Sequence, residues 1–299
     1  MNIPDRKKSI LADISLLLVA MVWGGGFIAV KGALDNITPF YIMAMRFGIS
    51  VLIMLIILRK KIKHITKNEL KIGTFVGLLL FLGFAAQTVG MKYTTVGKNA
   101  FLTGTNVVIV PFLYWAISKK KPDRFSLISA FLCFIGIGML TLDGGLYLGL
   151  GDSLTLLCAV FFAAHIVSVG YFAQKVNVIS LIIIQLGSAA VFSIIAALIY
   201  EPLPQVLNSN TIFAIGYLGI FSTMFAFIVQ NVAQKYTTPT HAAIILCLES
   251  VIGSILSVIM LNEIFTLKMV LGCLIIFIAI ITTETKLNFL KKKKISVAP

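Results

Sequence analysis

The chain has 299 residues, of which 59% are hydrophobic and 12% are charged, and its mean hydropathy is +1.02. A soluble domain usually carries about 25% charged residues, so this composition excludes a water-soluble globular protein and indicates a membrane domain. The net charge of +14 lies in short clusters between apolar runs, which is typical of orientation signals and argues against a nucleic-acid partner.

Ten apolar runs follow one another, each near the ~20 residues that a helix needs to cross a bilayer. Unpaired peptide groups are not tolerated in hydrocarbon, and these continuous runs do not alternate as the strands of a barrel do. We therefore expect an all-α integral membrane protein in a single transmembrane domain, residues 1–299. The predicted spans are Ile10–Lys31, Pro39–Leu58, Leu70–Met91, Val96–Ser118, Phe125–Leu142, Asp152–Phe172, Val178–Tyr200, Asn210–Gln234, Pro239–Leu261 and Leu267–Thr285.

The basic N-terminus before the first run also fits a secretory signal, but this run is long enough to be a permanent span. All four cysteines lie inside apolar runs and none forms a Cys-x-x-Cys pair. Packing is the expected role of these thiols, and no metal or other cofactor is predicted.

One stretch of sequence occurs twice. The residues Lys92-Tyr93-Thr94-Thr95 return 143 positions later as Lys235-Tyr236-Thr237-Thr238, and the same offset carries Gln87 onto Gln230 and Asn106 onto Glu249. A weaker echo relates Asp13 to Asp152, at an offset of 139. Chance in a restricted alphabet is the alternative. The pattern favours a duplication, with repeats at 10–142 and 152–285.

The basic residues give the orientation. With the N-terminus inside, twenty of the twenty-five lie in inner segments and four in outer ones, and Arg46 lies within a span. This asymmetry predicts cytoplasmic N- and C-termini. Because five spans is an odd number, the second repeat is inverted relative to the first, an architecture of secondary transporters whose substrate site lies near the midplane.

Glu249 is the polar residue with the clearest functional signal. It lies about ten residues into its span, near the middle of a hydrocarbon core that is about 30 Å thick. A carboxyl group at that depth is costly to ionise, and a group that readily holds a proton suits a proton carrier. A packing role through a hydrogen bond to another helix is the alternative.

Other polar residues form stripes on helix faces. Asn99, Thr103 and Asn106 follow helical spacing in the fourth span, as do Thr223, Phe227, Gln230 and Gln234 in the eighth. Such stripes face protein or water, so they are candidate walls of one cavity; hydrogen bonds between helices would produce the same pattern.

Four further residues within spans are candidates for a role. His165 and Trp23 lie mid-span and are candidates for substrate contact, although a buried neutral histidine and ordinary aromatic packing give the same sequence signal. The glycines at 24–26 permit close approach by another helix or a ligand. Arg46 is expected to reach toward the outer surface and to pair with Asp35, a structural role. Gln185 is a weaker candidate.

Catalytic motifs are missing. The three histidines have no metal-binding spacing, and the sequence contains neither a Gly-x-Ser-x-Gly elbow nor a phosphate-binding glycine loop. No arginine ladder or filter-like segment indicates a channel. A membrane-embedded enzyme and a structural subunit stay open as alternatives.

The order of several motifs resembles the drug/metabolite transporter superfamily, EamA type. These motifs are Trp23-Gly24-Gly25-Gly26-Phe27, Arg46-Phe47, Pro111, Glu249 and Glu263. Ser250 and Lys119-Lys120-Lys121 depart from the family's usual proline and glutamate. The resemblance implies a carrier of the bacterial inner membrane, commonly an exporter of amino acids or related metabolites.

From these observations we expect a secondary transporter that works by alternating access on a small-molecule substrate, as a monomer or homodimer in the bilayer. No ATP-binding motif is present, so a gradient must supply the energy, with Glu249 as the proton-coupling residue. The predicted substrate-binding residues are Trp23, Gln87, Asn99, Thr103, Asn106, His165, Phe227, Gln230 and Glu249. A carrier of nucleotide sugars or phosphate compounds is the rival within transport.

Overall fold

The computed structural model describes residues 6–59, 65–141, 148–204, 208–261 and 266–285, and all regular structure in these ranges is helical. The all-α prediction is therefore confirmed for the described chain, whereas Leu142 and Glu263 lie outside it. The helices are α1 (Arg6–Leu34), α2 (Pro39–Ile57), α3 (Lys67–Met91), α4 (Val96–Gly104 and Asn106–Ser118), α5 (Arg124–Thr141), α6 (Leu150–Phe172), α7 (Val178–Tyr200), α8 (Ser209–Tyr217, Leu218–Phe225 and Ala226–Ala233), α9 (Pro239–Leu246 and Leu248–Leu261) and α10 (Leu267–Thr285).

Large apolar side chains cover the outside of this helical bundle. Phe213 is 78% exposed, Ile56 75% and Leu198 66%, and such an apolar surface requires lipid around it. Within the described residues, eight helices are long and apolar enough to cross a membrane. The apolar stretches of α5 and α10 are shorter, so their predicted crossing stays a prediction.

The helices contact one another in pairs that repeat five helices apart. α3 packs on α6 and α7, and α8 packs on α1 and α2; α4 packs on α6, and α9 packs on α1. α5 packs on α10. Each of these contacts thus has a counterpart when every helix is exchanged for the one five places away.

Three helices that the sequence predicted as continuous are interrupted. α4 breaks at Thr105 and α9 at Cys247, each followed by a tight three-residue turn in which Val108 N donates to Thr105 O at 3.0 Å and Ser250 N to Cys247 O at 3.1 Å. The separation between the breaks at Thr105 and Cys247 differs by one residue from the 143-residue offset of the repeat. Broken helices are tolerated within a membrane where they are buried in protein or line a cavity.

The third interruption is a π-helical segment, Leu218–Phe225, in the middle of α8. Its wider turns leave carbonyl groups that side chains from other helices satisfy. Trp23 Nε1 donates to Ser222 O at 2.9 Å, and the Ser50 hydroxyl lies 2.6 Å from Gly219 O. The segment therefore ties α8 to α1 and α2.

The glycines at 24–26 of α1 allow the close approach that the sequence predicted. A Cβ on Gly24 would lie 2.7 Å from Ile252 Cβ and 2.9 Å from Glu249 O, and a Cβ on Gly25 would lie 2.7 Å from the Tyr217 hydroxyl. The α1 backbone thus packs directly against α8 and against the second half of α9.

Replacing Gly24 by alanine should lower the thermal unfolding midpoint of the purified protein in detergent. The added methyl group overlaps Ile252, and overpacking typically costs about 1–3 kcal/mol. Gly32→Ala is the matched control in the same helix, because a Cβ there meets nothing within 4 Å. Equal midpoints for the two variants would contradict the packing described here.

Candidate functional site

A cavity lies between α1, α2, α3, α4, α6, α8 and α9. About 70 Å³ is open to the centres of water-sized spheres, and one water needs about 10–15 Å³ on this scale. The space therefore holds several waters or one small solute. Its polar lining consists of Trp23, Arg46, Gln87, Thr103, Asn106, His165, Ser222, Gln230 and Glu249.

Eight of the nine predicted substrate-binding residues line this cavity, including Phe227. Asn99 does not: its side-chain amide donates to Gln87 O at 3.1 Å and to Thr155 Oγ1 at 2.9 Å. Because Asn99 is fully buried between α3 and α6, it holds the first half of α4 in place, and we leave it out of the proposed contacts.

Aromatic side chains form the apolar wall. The ring centroids of Trp23 and Phe227 are 5.4 Å apart, and those of Phe162 and Phe84 are 5.1 Å apart. Phe84 and Phe227 also contact each other, at 6.2 Å. These four rings come from α1, α3, α6 and α8, so one aromatic cluster joins the two halves of the chain.

His165 belongs to a chain of buried hydrogen bonds with a fixed direction. Asn231 Nδ2 donates to the carbonyl of Phe227 at 2.8 Å, and a carbonyl can only accept. Asn231 Oδ1 then accepts from Gln185 Nε2 at 2.8 Å, and Gln185 Oε1 faces His165 Nε2, also at 2.8 Å. His165 Nε2 must therefore carry the proton, which sets the tautomer of the neutral ring.

Gln87 and Thr103 form a second, smaller network of hydrogen bonds. Gln87 Nε2 donates to Thr103 Oγ1 at 3.2 Å, and Thr103 Oγ1 lies 3.7 Å from Cys158 Sγ. These contacts join α3, α4 and α6. Both residues line the cavity with their hydrogen-bonding capacity only partly used, so they can also meet a solute.

Glu249 and Gln230 present groups that have no partner. No hydrogen bond or ion pair to the Glu249 carboxyl comes from the described residues, and this half-buried side chain lines the cavity. Gln230 is 1% exposed, and its Oε1 is buried without a hydrogen-bond partner within the same ranges. Glu249 lies in the first turn of the second half of α9, where the helix dipole favours negative charge.

The prediction for Arg46 was wrong. Its side chain is 2% exposed and lines the cavity instead of reaching the outer surface, and Asp35, which is exposed, makes no ion pair with it. Arg46 Nε donates to Thr223 Oγ1 at 2.8 Å, and Nη2 donates to Ser222 Oγ at 3.2 Å. The π-helical segment of α8 supplies both hydroxyls, and no sequence pattern indicates that segment.

Sequence reasoning also missed Phe84 and Phe162. The offset of 143 carries Phe84 onto Phe227, and the offset of 139 carries Trp23 onto Phe162. The repeat itself could therefore have identified both residues. The other predicted wall residues of α8 lie outside the lining: Thr223 binds Arg46, and Gln234 donates to Ile166 O at 3.1 Å.

Replacing Gln185 by leucine should destabilise the protein, because His165 and Asn231 would each lose a buried partner, at about 1–3 kcal/mol per group. Thermal unfolding in detergent measures this, with the exposed Gln174→Leu as the control. The double variant with Asn231→Leu should lose less than the sum of the two single losses. Additive losses would contradict a connected chain.

The chain is similar to known transporters along most of its length. A model described as the EamA-like transporter family matches residues 10–142 and 149–285. An uncharacterized transporter of Archaeoglobus fulgidus is 34% identical, over 93% of this chain and 87% of that protein. The uncharacterized transporter YoaV of Bacillus subtilis is 23% identical, over 88% of this chain and 93% of that protein.

A solved structure has a similar fold. In this crystal structure of a protein the TM-score is 0.79 at 15% identity, over 96% of this chain and 99% of that chain. At this identity the likeness shows the fold alone, and it extends across both halves of the molecule.

Proposed function

Since the chain belongs to the EamA-like transporter family and is a multi-pass membrane transporter, we propose that it exports small metabolites such as amino acids or related amines. In this proposal the carrier is secondary, couples transport to protons and works by alternating access. The substrate contacts are Trp23, Gln87, Thr103, Asn106, His165, Phe227, Gln230 and Glu249.

One observation carries the proposal: a carboxyl group that no described residue binds lines a cavity that also has an aromatic wall and an amide oxygen without a partner in the same ranges. Glu249 and the Gln230 Oε1 atom can both accept hydrogen bonds from an ammonium group. The rings of Trp23 and Phe227 can pack on an apolar side chain or bind the cation face-on. A small zwitterion or an organic cation matches this set of groups.

Coupling to protons is proposed for the same carboxyl group. In this scheme the Glu249 carboxyl binds a proton when the substrate leaves and releases the proton when the substrate binds. The ammonium group of the substrate then takes the place of the proton beside the carboxylate. The cavity would then never hold an uncompensated carboxylate in a low-dielectric site, which is the costly state.

We further propose that the two repeats, 10–142 and 152–285, are inverted and contribute five transmembrane helices each. The contacts between helices support this, because they repeat when each helix is exchanged for the one five places away. A repeated pairing of a basic with an acidic side chain also supports it. Lys98 Nζ lies 3.5 Å from Asp152 Oδ2, and His241 Nε2 lies 3.8 Å from Asp13 Oδ1. The 143-residue offset carries Lys98 onto His241, and the 139-residue offset carries Asp13 onto Asp152. The first pair joins α4 to α6, and the second joins α9 to α1.

The positive-inside asymmetry supports a location in the cell membrane with both termini in the cytoplasm. On this orientation the pair of Lys98 and Asp152 lies toward the outer side, and the pair of Asp13 and His241 toward the inner side. The two pairs would hold opposite ends of the cavity, as alternating access requires. The carrier would work as a monomer or homodimer.

The rival carrier of nucleotide sugars or phosphate compounds gains one supporting observation, because Arg46 lines the cavity and is not directed outward. Counterflow of a small sugar phosphate into proteoliposomes, compared with counterflow of an amino acid, distinguishes the two substrate classes.

Replacing Glu249 by glutamine should abolish uphill transport driven by a pH gradient in proteoliposomes, because the amide cannot take up a proton. A panel of amino acids and amines supplies the substrates. Exchange of labelled for unlabelled substrate at equal pH should continue with at most about a tenfold loss, the size expected when one charged hydrogen bond becomes neutral.

The matched control is Asp35→Asn, which neutralises an exposed carboxylate in the turn after α1 and should leave both activities unchanged. Undiminished pH-driven transport by the Glu249→Gln protein would eliminate this residue as the proton carrier.

A further inference from the structure

The Arg46 side chain lines the cavity, and its guanidinium has donors without a partner among the described residues. A guanidinium has five N–H donors arranged in a fork, and only two of them have partners: the Nε donor on Thr223 and one Nη2 donor on Ser222. Neither Nη1 donor nor the second Nη2 donor bonds to a residue in the described ranges. Because Nε and Nη2 are held from one side, the fork between Nη1 and Nη2 remains available.

The positive charge of Arg46 is not neutralised by the protein. No carboxylate lies within ion-pair distance of it among the residues that the structure describes, and its two partners are neutral hydroxyls. The Phe84 ring lies 4.4 Å from Arg46 Cζ, an arrangement that stabilises a cation without cancelling its charge. A buried cation without a counter-ion is strongly unfavourable unless something else supplies the negative charge.

We propose that Arg46 is the carboxylate-binding residue of the substrate site, with its Nη1–Nη2 fork holding both oxygens of the substrate. This inference rests on the transport function proposed above and narrows the substrate to small molecules that carry a carboxylate and an ammonium group. Paired donors of a guanidinium match the geometry of a carboxylate, and such pairs are among the stronger hydrogen-bonded contacts.

Charge balance favours a zwitterion over a phosphate dianion or a simple amine. Arg46 and Glu249 line the same cavity and are not paired with each other. A substrate with one carboxylate and one ammonium group neutralises both residues. A phosphate dianion beside one arginine would leave excess negative charge, and an amine without a carboxylate would leave Arg46 unneutralised.

The site is held in place by the elements around it. Ser222 and Thr223 lie in the π-helical segment, whose Ser222 carbonyl is bound by Trp23 Nε1. Gly26 leaves room for the Ser222 side chain, because a Cβ at that position would lie 3.1 Å from Ser222 Oγ. The π-helical turn thus positions both hydroxyls that orient the fork of Arg46.

A ligand series on the unmodified protein tests the proposal without depending on the folding of a variant. The binding affinity of purified protein is measured for L-leucine, L-phenylalanine and L-threonine, for their amides, and for the amines that lack the carboxylate. At least one amino acid should bind ~10–100-fold more tightly than its amide and its amine, the range expected for hydrogen bonds to a charged group.

Variants assign the preference to Arg46. In Arg46→Gln the affinity for the amino acid should fall to that for its amide, whereas the affinity for the amide should stay within about twofold, as expected when only a carboxylate contact is lost. A purely structural arginine would weaken both ligands equally. Arg46→Lys keeps the charge without the fork and should retain part of the preference; the exposed Arg124→Gln is the control and should retain all of it.

Three outcomes would overturn the proposal, and they are distinguishable. Equal affinity for amino acid, amide and amine would contradict the carboxylate site. If the amine still showed counterflow, the proposed transport function would stand. Failure of every compound both to bind and to exchange in proteoliposomes would overturn the transport function together with the site. A preference for the amino acid that persists in both Arg46 variants would also contradict the assignment.

Discussion

An arginine and a carboxyl group held in one cavity without contact are the constraint on which the rest of this structure depends. Arg46 is fixed from one side by hydroxyls of α8, and Glu249 lies at the start of a half-helix of α9 without any partner in the described chain. Within a membrane, both groups are costly unless something in the cavity completes them. The energetic deficit of the empty site is therefore a source of substrate affinity.

The interruptions of three helices make this arrangement possible. The break at Cys247 precedes Glu249, the break at Thr105 precedes Asn106, and the π-helical segment carries the hydroxyls that hold Arg46. The breaks at Thr105 and Cys247 are buried, and side chains of α1 and α2 bind two carbonyl groups of the π-helical segment, so these freed backbone groups do not depend on lipid. Rigid half-helices on either side keep the polar groups in position.

The sequence predicted the helices well because apolar runs of membrane length allow no other backbone structure. It also predicted most of the cavity lining, since polar side chains at helical spacing must face protein or water. It failed for Arg46, because depth along a span does not say in which direction a long side chain turns. It also failed for the π-helical segment of α8, whose apolar sequence fits a regular helix equally well.

The most direct test of this account is an experimental structure with a bound amino acid, chosen as the one that raises the unfolding temperature most. The account predicts density between α2 and α9, with the carboxylate on the Nη1–Nη2 fork of Arg46 and the ammonium group toward Glu249 and Gln230. A ligand bound elsewhere, or an Arg46 side chain paired directly with Glu249 across an empty cavity, would contradict it.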